Sequence, residues 1–159
     1  MFKNRNFILV GSRGRVLYKN KLCKLFNKIG SNTMCDHIEF NLIKKDYDFL
    51  YIGDQINIIN KFYNNIIDIK INYIQLQINN DIIDIFISDN DSKYFYFLYL
   101  ILGKKLTIIL RNKAKSKGLK LNQYGLYYND NLRKVPLHFN KKKDYFDNIY
   151  IIIKYIYDI

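Results

Sequence analysis

The chain has no tryptophan, one proline, two cysteines and two histidines in 159 residues, and each scarcity removes a class of protein. A single proline excludes a proline-rich linker. Cys23 and Cys35 are too far apart for a CxxC pair, and His37 and His138 complete no second ligand pair, so a zinc site is not expected. No charged stretch leads into an apolar run with a small-residue cleavage site, and the apolar runs fall far short of a membrane span. These absences read as an intracellular, soluble protein without a membrane partner. Acid is scarce too: 14 Asp and Glu stand against 26 Lys and Arg, a net charge of +12.

Apolar residues, by contrast, are plentiful. Hydrophobic side chains make up 49% and aromatics 16%, enough to bury a core and too many for a disordered chain. The excess of Ile, Asn, Lys, Tyr and Phe is the mark of an AT-rich coding sequence, so most of the 15 tyrosines read as packing and surface residues. Charge is unevenly spread. Residues 1–45 carry 10 Lys and Arg against 2 acids, residues 46–102 carry 3 against 8, and residues 103–159 carry 13 against 4. Two basic flanks around an acidic centre suit a protein that grips a polyanion and holds divalent metal between the grips.

Periodicity gives the expected elements. Residues 6–10 read as a buried strand ending at Gly11-Ser12, followed by a helix with Leu22, Leu25, Phe26 and Ile29 on one face and Gly30 as its C-terminal cap. Residues 37–43 alternate as a strand would, and residues 46–52 read as a second strand turning at Gly53-Asp54. A helix over 55–62 is expected to point Ile56, Ile59 and Phe62 inward. Residues 69–77 and 82–87 form a strand pair around an Asn79-Asn80-Asp81 turn. Residues 94–102 read as a helix broken by Gly103, residues 106–117 as a basic amphipathic helix capped by Gly118, residues 119–128 as extended, and residues 141–157 as a final helix packing Phe146, Ile149, Ile153 and Ile156.

The sharpest chemical feature is Asp46-Tyr47-Asp48 at the head of an apolar strand. Alternation places Asp46 and Asp48 on one face, where two carboxylates repel each other unless a cation such as Mg²⁺ relieves them. A third acid would complete a two-metal site. Asp84, at the centre of an apolar strand, is the natural candidate, and Asp81 competes from a position nearer the turn. Such a site activates a 3′ hydroxyl and clamps a phosphoryl group in transfer.

Residues 115–127, Lys-Ser-Lys-Gly-Leu-Lys-Leu-Asn-Gln-Tyr-Gly-Leu-Tyr, closely resemble the KGLKLNEYGLF stretch of family X DNA polymerases. Asp46-Tyr47-Asp48-Phe49-Leu50 resembles that family's DIDLL strand, and Ile83-Asp84-Ile85-Phe86 its third-aspartate strand, in the same order. Val135-Pro136-Leu137 and Lys143-Asp144-Tyr145-Phe146-Asp147 are similar to its closing segment. The resemblance spans residues 46–159. It implies an α+β fold, with a nucleotidyltransferase palm over residues 1–102 and a small thumb-like subdomain over 103–159 that grips DNA and the nascent base pair. It also implies Asp46, Asp48 and Asp84 as catalytic ligands of two Mg²⁺, with Mn²⁺ as a substitute. Arg111, seven residues before Gly118, resembles the family's arginine lining the DNA minor groove. Lys113, Lys117 and Tyr124 join it as expected DNA contacts.

For the triphosphate, Gly11, Ser12, Arg13 and Arg15 offer a strand-ending Gly-Ser with two cations. Gly30-Ser31 is the alternative, nearer to Asp46 but without the arginines. The family's YFTG turn appears here as Leu100-Ile101-Leu102-Gly103, and no amino-terminal lyase domain is expected, as in the small viral members. The expected function is repair-type addition of deoxynucleotides, from deoxynucleoside triphosphates, to the 3′ end of primer-template or gapped DNA by a monomer. Two alternatives stand beside it. One is a template-independent or RNA-directed nucleotidyltransferase, and the other is an inactive, basic nucleic-acid-binding protein.

Overall fold

Alternating apolar strands need a partner layer on each buried face, and this chain supplies both from its helices. The computed structural model describes residues 6–30, 35–38 and 46–158. Five strands, β1 (Phe7–Val10), β2 (Tyr47–Ile52), β3 (Ile66–Lys70), β4 (Tyr73–Ile78) and β5 (Asp81–Ser88), form one sheet in the order β1-β2-β5-β4-β3. β2 and β5 are parallel, and the other neighbours are antiparallel. A parallel pair needs a long crossover, provided here by α3 (Gln55–Lys61) and the β3–β4 hairpin. The other helices are α1 (Gly11–Leu17), α2 (Lys19–Lys28), α4 (Lys93–Leu102), α5 (Lys104–Ser116) and α6 (Tyr145–Asp158). A separate hairpin pairs β6 (Leu119–Asn122) with β7 (Gly125–Tyr128). The fold is α+β, and no helix among the described residues is long and apolar enough to cross a membrane.

The two sheet faces differ. Val10, Leu50 and Ile52 point to one face, under a core built from α1, α2, α4, α5 and α6. Phe7, Tyr51, Ile74, Leu76, Ile83, Ile85 and Ile87 point to the other, where α3 covers them with Ile58 and Phe62. The larger core runs without a break from Leu22 through Phe97 and Leu110 to Ile156, so α5 and α6 pack directly on the helices that cover the sheet. Those helices stop short of the sheet's far edge. On their side, Tyr73, Gln75 and Gln77 of β4 and Asp68 and Lys70 of β3 form a polar shelf, none of it buried.

Several expectations are corrected here. Residues 35–37 form a single 3-10 turn, so His37 opens no strand, and residues 39–43 lie outside the described residues. The stretch 69–77 is two strands, because Asn72 at φ +60° reverses the chain and adds β3 at the edge. Asn79 at φ +56° makes the expected second turn. At α3, Phe62 is buried and Ile59 packs against the core as expected, but Ile58 is the buried isoleucine and Ile56 is 50% exposed. The final helix begins at Tyr145 and not at 141, since Asp144 Oδ1 accepts from the Asp147 amide at 2.8 Å and caps it.

Candidate active site

The site is assembled by strand register. Asp48 and Asp84 lie directly opposite each other on the parallel strands β2 and β5, and Gln75 and then Asp68 continue the row across β4 and β3. Neighbouring strands are about 4.8 Å apart, so the two aspartates share one face at contact range. Asp46 immediately precedes β2 and acts on Asp48 through space. Burial, then the negative charge of Asp84 and a hydrogen bond with it, push the Asp48 carboxyl up to about 6; Asp46 adds to the rise, and Arg15 opposes it. In the protein without a cation, Asp48 takes up a proton as pH falls through about 6. Among the described residues, no three His, Cys, Asp or Glu side chains converge as a complete ion cage.

The first helix closes over Asp48. β1 delivers the chain to Gly11, where φ is +66° and where a Cβ would stand 2.2 Å from Asp48 Oδ2. Only glycine admits both the backbone angle and the carboxylate. Gly14 serves the same approach one turn later, because a Cβ there would meet the Leu9 carbonyl oxygen at 2.7 Å. Val10 gives α1 no side-chain cap, so the amides of the first turn, including those of Gly11 and Ser12, have no such acceptor. Ser12 is half-buried beside them.

The two arginines of this segment part company. Arg13 Nε donates to the Asp46 carbonyl at 3.2 Å, and its guanidinium lies 4.0 Å from the centre of the Tyr47 ring, which fixes the entry to β2. Arg15 is buried; its Nη1 donates to the Leu100 carbonyl at 3.4 Å, and its guanidinium lies against Gly103. Expected as a triphosphate ligand, Arg15 is buried, where it ties α1 to the α4–α5 turn and its charge acts on Asp48. Gly30 ends α2 at φ +79°, as a cap should, and Ser31 lies outside the described residues.

The expected DNA contacts occupy three separate places. Arg111 lines a groove of about 500 Å³ with Lys115 and Lys120. Lys113 lies 5.4 Å from the Tyr157 ring centre and Lys117 Nζ donates to the Tyr157 carbonyl at 2.8 Å, so both turn to the end of α6. Helical periodicity carries the signal that separates them, since positions 111 and 115 share a face while 113 and 117 share another. Tyr124 is in neither place. It packs edge-on to Tyr96 at 6.1 Å and lines a cavity of about 750 Å³ with Gly53, Asp54, Ser88 and Asp89. That cavity is the larger one, yet it lies at the opposite ends of β2 and β5 and holds none of the three aspartates.

Two residues escaped the sequence reading. Tyr73 Oη donates to Asp84 Oδ1 at 2.5 Å, and Gln75 Nε2 donates to the same oxygen at 2.9 Å. Burial first, and then Asp84, hold the Tyr73 phenol proton more tightly than usual. Their signal was the alternation of polar Tyr73, Gln75 and Gln77 with apolar Ile74, Leu76 and Ile78, which puts the polar set on the face of Asp84 once the register is known. No protein-family model and no curated protein sequence matches this chain, so the reading of the site rests on its geometry and its residues.

Proposed function

We propose that the chain is a nucleotidyltransferase that extends a DNA 3′ end from deoxynucleoside triphosphates. The observation that carries this reading is the Asp48–Asp84 pair on adjacent parallel strands, with the glycine-led start of α1 set against Asp48. Asp46 completes the set of acids in sequence and in field. Hard carboxylate oxygens, crowded enough to raise Asp48 to about 6, fit Mg²⁺ or Mn²⁺, and Asp48 and Asp84 are the residues that would hold it, with Asp46 next in the chain. Bound there, such an ion supplies Lewis acidity to the 3′ hydroxyl and neutralises charge on the phosphoryl oxygens.

The protein's own groups do the rest. The first-turn amides of α1, which Val10 does not cap with a side chain, are the groups that would meet phosphate oxygens, and Arg13 adds a cation at the entry to β2. The 3′ oxygen bonds to the α-phosphorus, the bond to the bridging oxygen breaks, and pyrophosphate leaves. The hydroxyl proton passes to a carboxylate oxygen of the pair. Arg111, Lys115 and Lys120 line the groove that suits a phosphate backbone. The resemblance of residues 115–127 to family X polymerases supports a templated reaction over the untemplated one.

The test is extension of a labelled primer on gapped and on single-stranded DNA, with Mg²⁺ and each nucleotide separately, beside Asp84→Ala. Templated addition that disappears in the variant, while DNA binding persists, supports the reading. Untemplated addition would transfer the site to a terminal transferase, and DNA binding without addition by the wild type would overturn the enzyme altogether.

A further inference from the structure

Asp84 stands between a like charge and a pair of fixed donors. Its neighbour across the β2 interface is Asp48, and its neighbour across the β4 interface is Gln75. Two donors from β4, Tyr73 Oη and Gln75 Nε2, converge on its single oxygen Oδ1, while the Asp48 carboxyl meets Asp84 from β2. Two bonds to one oxygen fix the rotation of the carboxylate and leave Oδ2 uncommitted to β4. The donors are themselves held. Tyr73 packs on Phe86 with ring centres 5.3 Å apart, and Gln75 stands between Asp84 and Asp68 in the lateral row, a neutral spacer between two acids.

An aspartate that merely solubilised an exposed sheet would find water for its oxygens. This one stands half-buried at the edge of the polar shelf, and it still spends one oxygen on two protein donors. Side chains that hydrogen-bond a ligating carboxylate set its orientation, and their loss typically costs about 10- to 100-fold in metal affinity.

We propose that Tyr73 and Gln75 are positioning residues that aim Asp84 at a divalent cation and set the affinity with which the site holds it. This rests on the reading of Asp48 and Asp84 as a cation-holding pair. The two residues differ in reach: Tyr73 restrains Asp84 from the row of Phe86, Gln75 from its own row. Loss of either leaves one donor, and loss of both lets the carboxylate rotate.

The experiment titrates the full chain, without nucleotide or DNA, with Mn²⁺, and reads the free ion by electron paramagnetic resonance. Tyr73→Phe, Gln75→Ala, the double variant and Asp84→Ala are compared with the wild type, and circular dichroism confirms the fold of each. About a 10-fold weaker affinity is expected in each single variant, and about 100-fold in the double. In turnover, the Mg²⁺ concentration for half-maximal rate rises by the same factors, while the KM for nucleotide stays put. If Tyr73→Phe destabilises the sheet, Gln75→Ala, on an open surface, carries the test alone. Wild-type affinity in the two β4 variants, with binding lost in Asp84→Ala, overturns the positioning role and leaves the cation site standing. No Mn²⁺ binding by the wild type overturns both.

Discussion

Replacing Asp48 by Asn should stabilise the cation-free protein at neutral pH. The folded state holds the Asp48 carboxyl at about 6 against an ordinary value of 3.8, a rise of about two units. At about 1.4 kcal/mol per unit, the ionised group costs the fold up to about 3 kcal/mol, and because Asp48 is only half-buried, solvent screening reduces this to about 1–2 kcal/mol. The sign follows from linkage. A carboxyl whose folded value is raised favours the fold below its unfolded value, and that contribution is lost as pH climbs from about 4 through about 6. Asn carries no charge, and its amide can donate toward Asp84 as the protonated acid does. In a protein of this length, 1–2 kcal/mol is about 3–6 °C in Tm. Thermal unfolding in EDTA at pH 4.5 and pH 7.5 should show the variant level with wild type at the lower pH and more stable at the higher. Adding Mg²⁺ should then raise the wild type and not the variant. A variant less stable than wild type at pH 7.5, or a gap that ignores pH, would refute the crowding of the pair.

Arg111→Ala should lower the slope of log affinity for DNA against log salt by about 1, whereas Lys117→Ala, whose ammonium is committed to the Tyr157 carbonyl, should leave the slope unchanged. Binding isotherms between 50 mM and 200 mM salt distinguish the two. Asn148 is fully buried and joins the amide and carbonyl of Asn140 to the Asp144 carbonyl, so Asn148→Ala should cost about 2–4 kcal/mol in urea unfolding and speed hydrogen exchange over residues 140–144.

How much of this was legible depended on whether a residue's neighbours in sequence or its neighbours across strands decide its role. The end of the first strand before Gly11, the second strand, the Asn79 turn and the buried stripe of α6 are local matters, and alternation or helical spacing reveals them, although α1 starts at Gly11 itself with no intervening turn. β3 was hidden because isoleucine recurs at 66, 67, 69, 71 and 74, so no apolar face stands out, and its turn is made by Asn72 rather than glycine. The same crowding of isoleucine misassigned α3, where Ile56, Ile58 and Ile59 each fit some face of a seven-residue helix. Asp48 and Asp84 could be proposed from charge in apolar strands. Their pairing, the grip of β4 on Asp84 and the burial of Arg15 all depend on register and packing between distant segments.

The crossover between β2 and β5 bears on how quickly the protein folds. β3, β4 and β5 are joined by tight turns and can pair as they emerge, but β2 must return past α3 and the whole hairpin to reach β5. Contacts closed over so long a loop are the slow ones. The last alignment brings the acids of β2 against Asp84, charge against like charge. Acidic solution, by protonating Asp48, should therefore quicken refolding more than it slows unfolding, and the chemistry of the site becomes a brake on its own assembly.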